Sequence, residues 1–191
     1  MHSGLELESR RRIYEYLTAN PGVHLRRIGQ ALGMSTGMLS YHLGVLERQE
    51  LVKSEAARHR RRYFLAQAYR QDQRLVVALL RERVPRRVLI ELVTYGERTF
   101  ADLLAATGVT KSTLSYHLAK VVASGVVVRG RRDRESVFSL RDGAGVTDLI
   151  LGCAASIPDE ALGRFVSIWP RLQALRERQA AAALALGTQP A

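Results

Sequence analysis

The sequence has little of several things that would mark particular classes of protein. Its 191 residues include one cysteine, Cys153, so neither a disulfide framework nor a cysteine metal cluster can form within one chain. The uncharged segment 149–158 is too short to span a bilayer. Residues 1–12 are polar and do not resemble a secretory signal. We therefore expect a soluble cytoplasmic protein from a reducing compartment.

Aromatic and acidic residues are also scarce. Aromatic residues make up 6% of the chain and hydrophobic residues 47%, so the sequence predicts cores built mostly from Leu, Val, Ile and Ala. The net charge is +11, and the excess is confined to part of the chain. Residues 1–70 hold 12 Arg and Lys against 6 Asp and Glu, residues 71–142 hold 13 against 8, and residues 143–191 are neutral. Such a distribution favours a polyanionic partner over a charge that serves solubility alone.

What the sequence does contain is an internal repeat. The motif Leu-Ser-Tyr-His-Leu occupies residues 39–43 and recurs at residues 114–118. The same offset pairs Gly33 with Gly108 and Val52 with Val127, and it extends over about fifty positions without a gap. Two copies are too few for a solenoid. We therefore expect two small globular heads in tandem.

Each copy predicts a helix-turn-helix. In the first copy, apolar spacing predicts helices over residues 24–32 and 36–49, with Gly33 ending one and Ser35 capping the next. In the second copy, helices are predicted over residues 99–107 and 111–124, with Thr99 as a cap. Two helices joined by about three residues form the arrangement whose second helix can enter a DNA major groove.

The second helix of each pair divides into an apolar and a polar face. In the first copy, Leu39, Leu43 and Leu46 are predicted to face inward with His42 beside them. The outward face carries small hydroxyl residues, glycines and a tyrosine, which suit close contact with bases and phosphates better than a generic solvated face does. The predicted DNA contacts are Ser35, Thr36, Gly37, Ser40, Tyr41 and Arg48 in the first copy, and Thr110, Lys111, Ser112, Ser115, Tyr116 and Lys120 in the second.

A β-hairpin is predicted after each helix-turn-helix, which makes each head a winged helix. The strands are expected at residues 51–54 and 62–65, and again at residues 126–129 and 136–140. Arginines on a protruding turn can reach the DNA backbone or the minor groove, although a charged turn can also simply keep an edge strand soluble. Acidic residues dilute the second turn, so the first wing is expected to bind phosphate more strongly. The predicted contacts are Arg58, Arg60, Arg61, Arg62, Arg131 and Arg132.

The chain as a whole is predicted to be mainly α with small β-hairpin wings. Two winged-helix domains, 1–68 and 85–142, are expected on either side of a linker helix at 69–84, followed by a helical extension at 143–191. The stretch 142–145 is expected to be a break before a short apolar helix over residues 146–156. A further helix is expected to kink or restart at Pro170. This extension is expected to pack on the heads or to form a homodimer. A membrane-surface role is disfavoured because its polar face lacks an excess of Lys and Arg.

The first copy contains the pattern Gly33-x-Ser35-x(3)-Leu39-Ser40-Tyr41-His42-Leu43-x(2)-Leu46-x(4)-Leu51-Val52. Its pattern, followed by an Arg-rich hairpin, is similar to that of winged helix-turn-helix regulators of the ArsR/MarR-like type, and tandem versions are similar to regulators found widely in archaea. The resemblance covers roughly residues 10–65 and 85–140, and it implies that Ser40, Tyr41, Ser115 and Tyr116 face DNA. The cysteine-rich site of metal-sensing members has no counterpart, so metal sensing is not implied.

Other functions fit the sequence less well. Ser40 and His42 diverge by about 200° on a helix, and neither a Gly-rich phosphate loop nor a paired carboxylate site is evident, so we expect neither an enzyme nor a cofactor. His42 and His117 are expected to be structural or to contact phosphate, with no metal. The sequence therefore predicts a sequence-specific, double-stranded-DNA-binding transcription regulator. A protein-binding module and an RNA-binding module remain the alternatives.

Overall fold

The first copy folds as a winged helix. The computed structural model describes residues 7–57 and 60–187, so Arg58, one of the predicted DNA contacts, lies outside the described residues. The strands form an antiparallel sheet in the order β1-β3-β2, which is one strand more than the predicted hairpin. The elements of this first head are α1 (Glu8–Ala19), β1 (Val23–His24), α2 (Leu25–Leu32), α3 (Thr36–Arg48), β2 (Val52–Ala57) and β3 (Arg60–Leu65).

The second copy repeats this architecture after one intervening helix. Its sheet has the corresponding order β4-β6-β5, so the predicted fold class of two tandem winged helices is confirmed. The intervening helix is α4 (Gln71–Leu80). The elements of the second head are α5 (Arg83–Tyr95), β4 (Arg98–Thr99), α6 (Phe100–Thr107), α7 (Lys111–Ala123), β5 (Val127–Arg132) and β6 (Glu135–Leu140).

The turn chemistry explains where these helices begin and end. Gly33 has φ +66° and Gly108 has φ +63°, the left-handed conformation that ends α2 and α6. Ser35 Oγ accepts a hydrogen bond from the backbone N of Met38 at 3.3 Å, which caps α3. Thr99 and Asp102 form a reciprocal capping box at the start of α6. The predicted caps at residues 35 and 99 are therefore confirmed.

The linker helix is shorter than predicted. α4 ends at Leu80, and residues 81–82 separate it from α5, which begins at Arg83. Pro85 explains the break, because proline has no N–H with which to continue a helix from α4. In the first turn of α5 that N–H is not needed, so Pro85 fits there.

The C-terminal extension consists of two helices that pack on the second head. α8 (Gly143–Cys153) begins earlier than predicted because Asp142 Oδ1 accepts a hydrogen bond from Gly145 N at 2.9 Å, so the expected break is a helix cap. A 3-10 turn follows at Ala154–Ser156, and then α9 (Glu160–Gly187). α9 continues through Pro170, so the predicted alternative of a restart there is wrong; the helix forgoes one backbone hydrogen bond at that point.

The strand β3 contributes to two hydrophobic cores. Alternate side chains of a strand point to opposite faces, and here both faces are covered. Tyr63 and Leu65 lie in the core of the first head. Phe64, fully buried between them, lies in the second core, which runs through α4, the second head, α8 and the start of α9. Gly22 (φ +73°) allows α4 to approach, because a Cβ there would lie 3.0 Å from Val77 Cγ1. The two heads therefore share a packed interface.

None of the helices within residues 7–57 and 60–187 is long and apolar enough to cross a membrane.

Candidate nucleic-acid interface

The outward face of α3 is open to solvent. Tyr41 is 62% exposed, whereas Leu39 and His42 on the other side are 0% and 6% exposed. The rings of Tyr41 and His42 meet edge to face with centroids 5.3 Å apart, so the buried histidine supports the exposed tyrosine. A Cβ added at Gly37 would meet nothing within 4 Å. The predicted contact residues of this helix are all exposed: Ser35, Thr36, Gly37, Ser40, Tyr41 and Arg48.

The corresponding face of α7 is partly covered. Tyr116 is 42% exposed, and its ring lies 5.1 Å from that of His117. Thr110 Oγ1 caps the helix and lies 3.1 Å from Ser112 Oγ, so hydroxyl groups cluster at the helix start. Four predicted residues are exposed here beside Tyr116, while Lys120 is half-buried. The exposed four are Thr110, Lys111, Ser112 and Ser115.

The predicted wing arginines occupy different environments. Arg60 and Arg61 are exposed on opposite faces of β3, and their guanidinium groups make no hydrogen bond or ion pair with any residue that the structure describes. In the second wing, Arg131 is exposed, and Arg132 forms an ion pair with Glu97 although its side chain is 70% exposed. Asp133, with φ +53°, forms the two-residue turn between β5 and β6.

Two of the predicted contacts, Arg62 and Lys120, converge on one carboxylate. Lys120 Nζ lies 2.6 and 2.7 Å from the two oxygens of Glu82, and Arg62 lies 3.5 Å from Glu82 Oε1. The three side chains are 35%, 15% and 26% exposed in the order Lys120, Arg62, Glu82. Burial lowers the pKa of Arg62, and the charge of Glu82 opposes that shift. This Glu82 bridge links the first wing to the second recognition-type helix.

Sequence reasoning missed the Glu82 bridge. Glu82 lies in the short break between α4 and α5, far along the chain from both cations. Helical or strand periodicity relates only near neighbours, so no local signal pairs Glu82 with Arg62 or Lys120. The bridge becomes visible only once α4 covers the sheet of the first head.

The two heads enclose a groove of about 940 Å³, called the interhead groove below. Elements of both heads form its walls: β1, α2 and β3 from the first, and α5 and α7 from the second. Two carboxylates face a larger number of basic groups, so the groove carries an excess of positive charge. The basic side chains are those of Arg27, Arg60, Arg62, Arg74, Arg81, Arg86 and Lys120, and the acidic ones are those of Glu55 and Glu82.

Metal-binding and thiol chemistry receive no support from the geometry. Across residues 7–57 and 60–187, no group of three His, Cys, Asp or Glu side chains is placed to hold a metal ion. Cys153 is 1% exposed, and burial raises the pKa of its thiol, which disfavours the reactive thiolate.

Comparison with known proteins gives matches over both repeats. Residues 7–76 match a family described as an N-terminal HTH domain, and residues 85–128 match the bacterial regulatory protein family arsR. The chain is also 25% identical over 135 residues to a protein of Methanocaldococcus jannaschii named as an uncharacterised HTH-type transcriptional regulator. That alignment covers 71% of this chain and 34% of the relative, so the chain spans about a third of the relative's length. Transcriptional regulators of these families are generally not enzymes.

Proposed function

We propose that this chain, both of whose heads match helix-turn-helix families, binds double-stranded DNA sequence-specifically and thereby regulates transcription. The observation that carries the proposal is the outward face of α3. Small exposed side chains flank Tyr41, and the open space at Gly37 leaves the backbone accessible. A surface of this kind permits close approach to base edges in a major groove.

The wings supply the sequence-independent part of the proposed interaction. Arg60, Arg61 and Arg131 are exposed, and none of them is engaged by a carboxylate of the described chain. Guanidinium groups in that state can bind backbone phosphates, and their contribution depends strongly on salt. Arg62 and Lys120 would join them only after leaving Glu82.

Two heads in one chain could read two half-sites, as a dimer of single heads would. Successive major grooves on one side of a duplex lie about 34 Å apart, so the half-site spacing should be one turn or a multiple of it. A homodimer through the C-terminal helices would present four heads. α9 already packs on the second head, with Phe165 2% exposed, but Leu175 further along is 53% exposed. Sedimentation equilibrium of the wild type and of Leu175→Ser tests this part of the proposal.

Selection of bound sequences from random duplexes is the decisive experiment. A motif of two parts indicates that both heads read DNA, and a motif of one part indicates that a single head does. An absence of enrichment refutes sequence-specific binding and favours the protein-binding alternative. Enrichment from single-stranded RNA pools alone would instead favour the RNA-binding alternative.

Variants then separate recognition from electrostatic attraction. Ser40→Ala should change the selected sequence, because a hydroxyl that contacts a base edge carries specificity. Arg61→Ala should weaken binding to all duplexes alike. It should also reduce the slope of log affinity against log salt concentration by the equivalent of about one phosphate contact. Arg164→Ala, on α9, is the charge-matched control and should change neither property. If Arg61→Ala and Arg164→Ala behave identically, the first wing does not contact the backbone.

A further inference from the structure

The interhead groove retains positive charge after its internal ion pairs are counted. Arg74 is paired with Glu55 at 2.7 Å, and Arg62 and Lys120 share Glu82. Behind the groove, Arg86 is paired with Asp159. Arg27, Arg60 and Arg81 have no carboxylate partner among the described residues. A cavity between two packed domains with unneutralised cations on several walls is a candidate site for an anion.

Arg81 is held deep in this groove by neutral groups only. Its guanidinium donates hydrogen bonds to the carbonyl of Pro21 at 2.7 Å and to that of Ser156, also at 2.7 Å. A further hydrogen bond, of 2.9 Å, goes to Ser156 Oγ. Burial lowers the pKa of Arg81, and the nearby charges of Arg62 and Arg86 lower it further. With the bond of 2.9 Å from Nε to the Pro21 carbonyl, four of its five N–H groups are used, so its position is fixed and it offers a ligand its charge and a single N–H.

Arg27 and Arg60 stand at the mouth of the groove around His24. Both arginines are exposed, and neither guanidinium group makes a hydrogen bond or ion pair within the described part of the chain. Burial lowers the pKa of His24, and the nearby charges of Arg60, Arg62 and Arg27 lower it further. Burial is the larger cause, and the arginine contributions show that the potential around His24 is positive.

We propose that the interhead groove binds a phosphate-bearing ligand through Arg27, Arg60 and Arg81. The guanidinium groups of Arg27 and Arg60 can bind phosphate oxygens with paired hydrogen bonds, and Arg81 adds its charge and one N–H. A volume of about 940 Å³ accommodates a small phosphorylated molecule. Lys120 lines the same groove from α7, so an occupied groove also alters the charge beside the second recognition-type helix. Of the three arginines, Arg60 is also proposed to contact DNA, whereas Arg27 and Arg81 are not, so binding in the groove can be separated from DNA binding.

Inorganic pyrophosphate is the probe, titrated calorimetrically into the whole chain at an ionic strength of about 0.15 M, where the Debye length is only about 8 Å. The sequence offers matched controls because Arg26 neighbours Arg27 and Arg61 neighbours Arg60. Both neighbours are exposed, and neither lines the groove. Arg27→Ala and Arg60→Ala should each weaken pyrophosphate binding about fivefold to tenfold, as expected for loss of one charged contact. Arg26→Ala and Arg61→Ala should change it less than about twofold, since distant exposed charges are largely screened.

A second readout locates the bound phosphate. Pyrophosphate should raise the pKa of His24, measured by NMR of the imidazole, because the ligand neutralises the arginines that depress it. An unchanged His24 pKa in the saturated protein would place the ligand elsewhere and overturn the proposal. So would an absence of binding, or equal weakening by all four arginine variants, which would mean diffuse attraction to a basic surface.

The source of the phosphate is decided by competition with a short DNA duplex. Displacement of bound pyrophosphate by the duplex would mean that the groove holds phosphates of the DNA backbone. Simultaneous binding of both would mean that the site takes a free small molecule. Gel shifts without pyrophosphate report on the proposed DNA binding separately, so failure of one proposal is distinguishable from failure of the other.

Discussion

Replacement of Glu82 by glutamine should strengthen DNA binding while it weakens the fold. Glu82 holds Lys120 through both carboxylate oxygens and lies 3.5 Å from Arg62. Both cations are predicted to contact DNA, so a duplex must compete with Glu82 for them. Glu82→Gln removes the competing charge and leaves the two cations available to phosphate.

The magnitude follows from how far the Glu82 bridge is buried. Exposed ion pairs contribute about 0.2–1 kcal/mol, and hydrogen bonds to charged groups contribute about 1.5–3 kcal/mol. With 15–35% of each side chain exposed, the bridge falls between these cases, at about 1–2 kcal/mol. We expect Glu82→Gln to lower the free energy of unfolding by about that amount. DNA affinity should rise about fivefold to thirtyfold, since 1.4 kcal/mol corresponds to a factor of ten.

Fluorescence anisotropy with a labelled duplex measures the affinity over a range of salt concentrations, and urea denaturation measures the stability. The slope of log affinity against log salt concentration should steepen by the equivalent of about one to two phosphate contacts, because Lys120 and Arg62 are released from Glu82. Glu177→Gln removes the same charge from exposed α9 and is the control for net charge. If Glu82→Gln binds DNA no more tightly than Glu177→Gln does, the bridge does not compete with DNA and the reasoning is refuted.

Three further predictions test the fold and the recognition face. Gly37→Ala should raise the free energy of unfolding by about 0.5–1 kcal/mol, because the added Cβ meets no atom, and it should weaken duplex binding. Gly33→Ala should instead lower the free energy of unfolding by about 1 kcal/mol, because φ is +66° there. Burial would raise the pKa of Asp159, but the hydrogen bond from Arg86 brings it below its usual value. Asp159 therefore stabilises the fold above about pH 4, and this contribution is lost as the pH falls through the lowered pKa; acid denaturation of Asp159→Asn should lack that loss. Arg81→Ala should cost about 2–3 kcal/mol in urea denaturation, and an unchanged midpoint would contradict its described hydrogen bonds.

Local chemistry made much of the fold predictable. The glycines that end α2 and α6 need a left-handed conformation, and the caps at Ser35 and Thr99 need an oxygen beside a free backbone N–H. Each of these requirements is met within a few residues, so the sequence displays it directly. The two-residue strands β1 and β4 were missed because a pair of residues carries no periodicity.

Long-range contacts were not predictable in the same way. Arg60, Arg61 and Arg62 form one basic run in the sequence, but the pleat of β3 sends Arg61 to the opposite face from its neighbours. α4 then buries most of Arg62 beside Glu82 while Arg60 remains exposed. The run predicts a basic wing, yet which arginine stays available is decided by what packs against the strand. That these site residues contact DNA is a prediction.

Phe64 belongs to the first repeat but packs in the core of the second, so the repeated segment is not an independent folding unit. The repeat suggests a domain boundary at about residue 68. Cutting the chain there would expose the fully buried ring of Phe64, because the side chains that cover it lie after residue 68. A fragment holding the first head alone would present this apolar surface to water and should associate with itself or with added α4. Although the sequence contains two copies of the pattern, we expect both copies to unfold together in one cooperative transition.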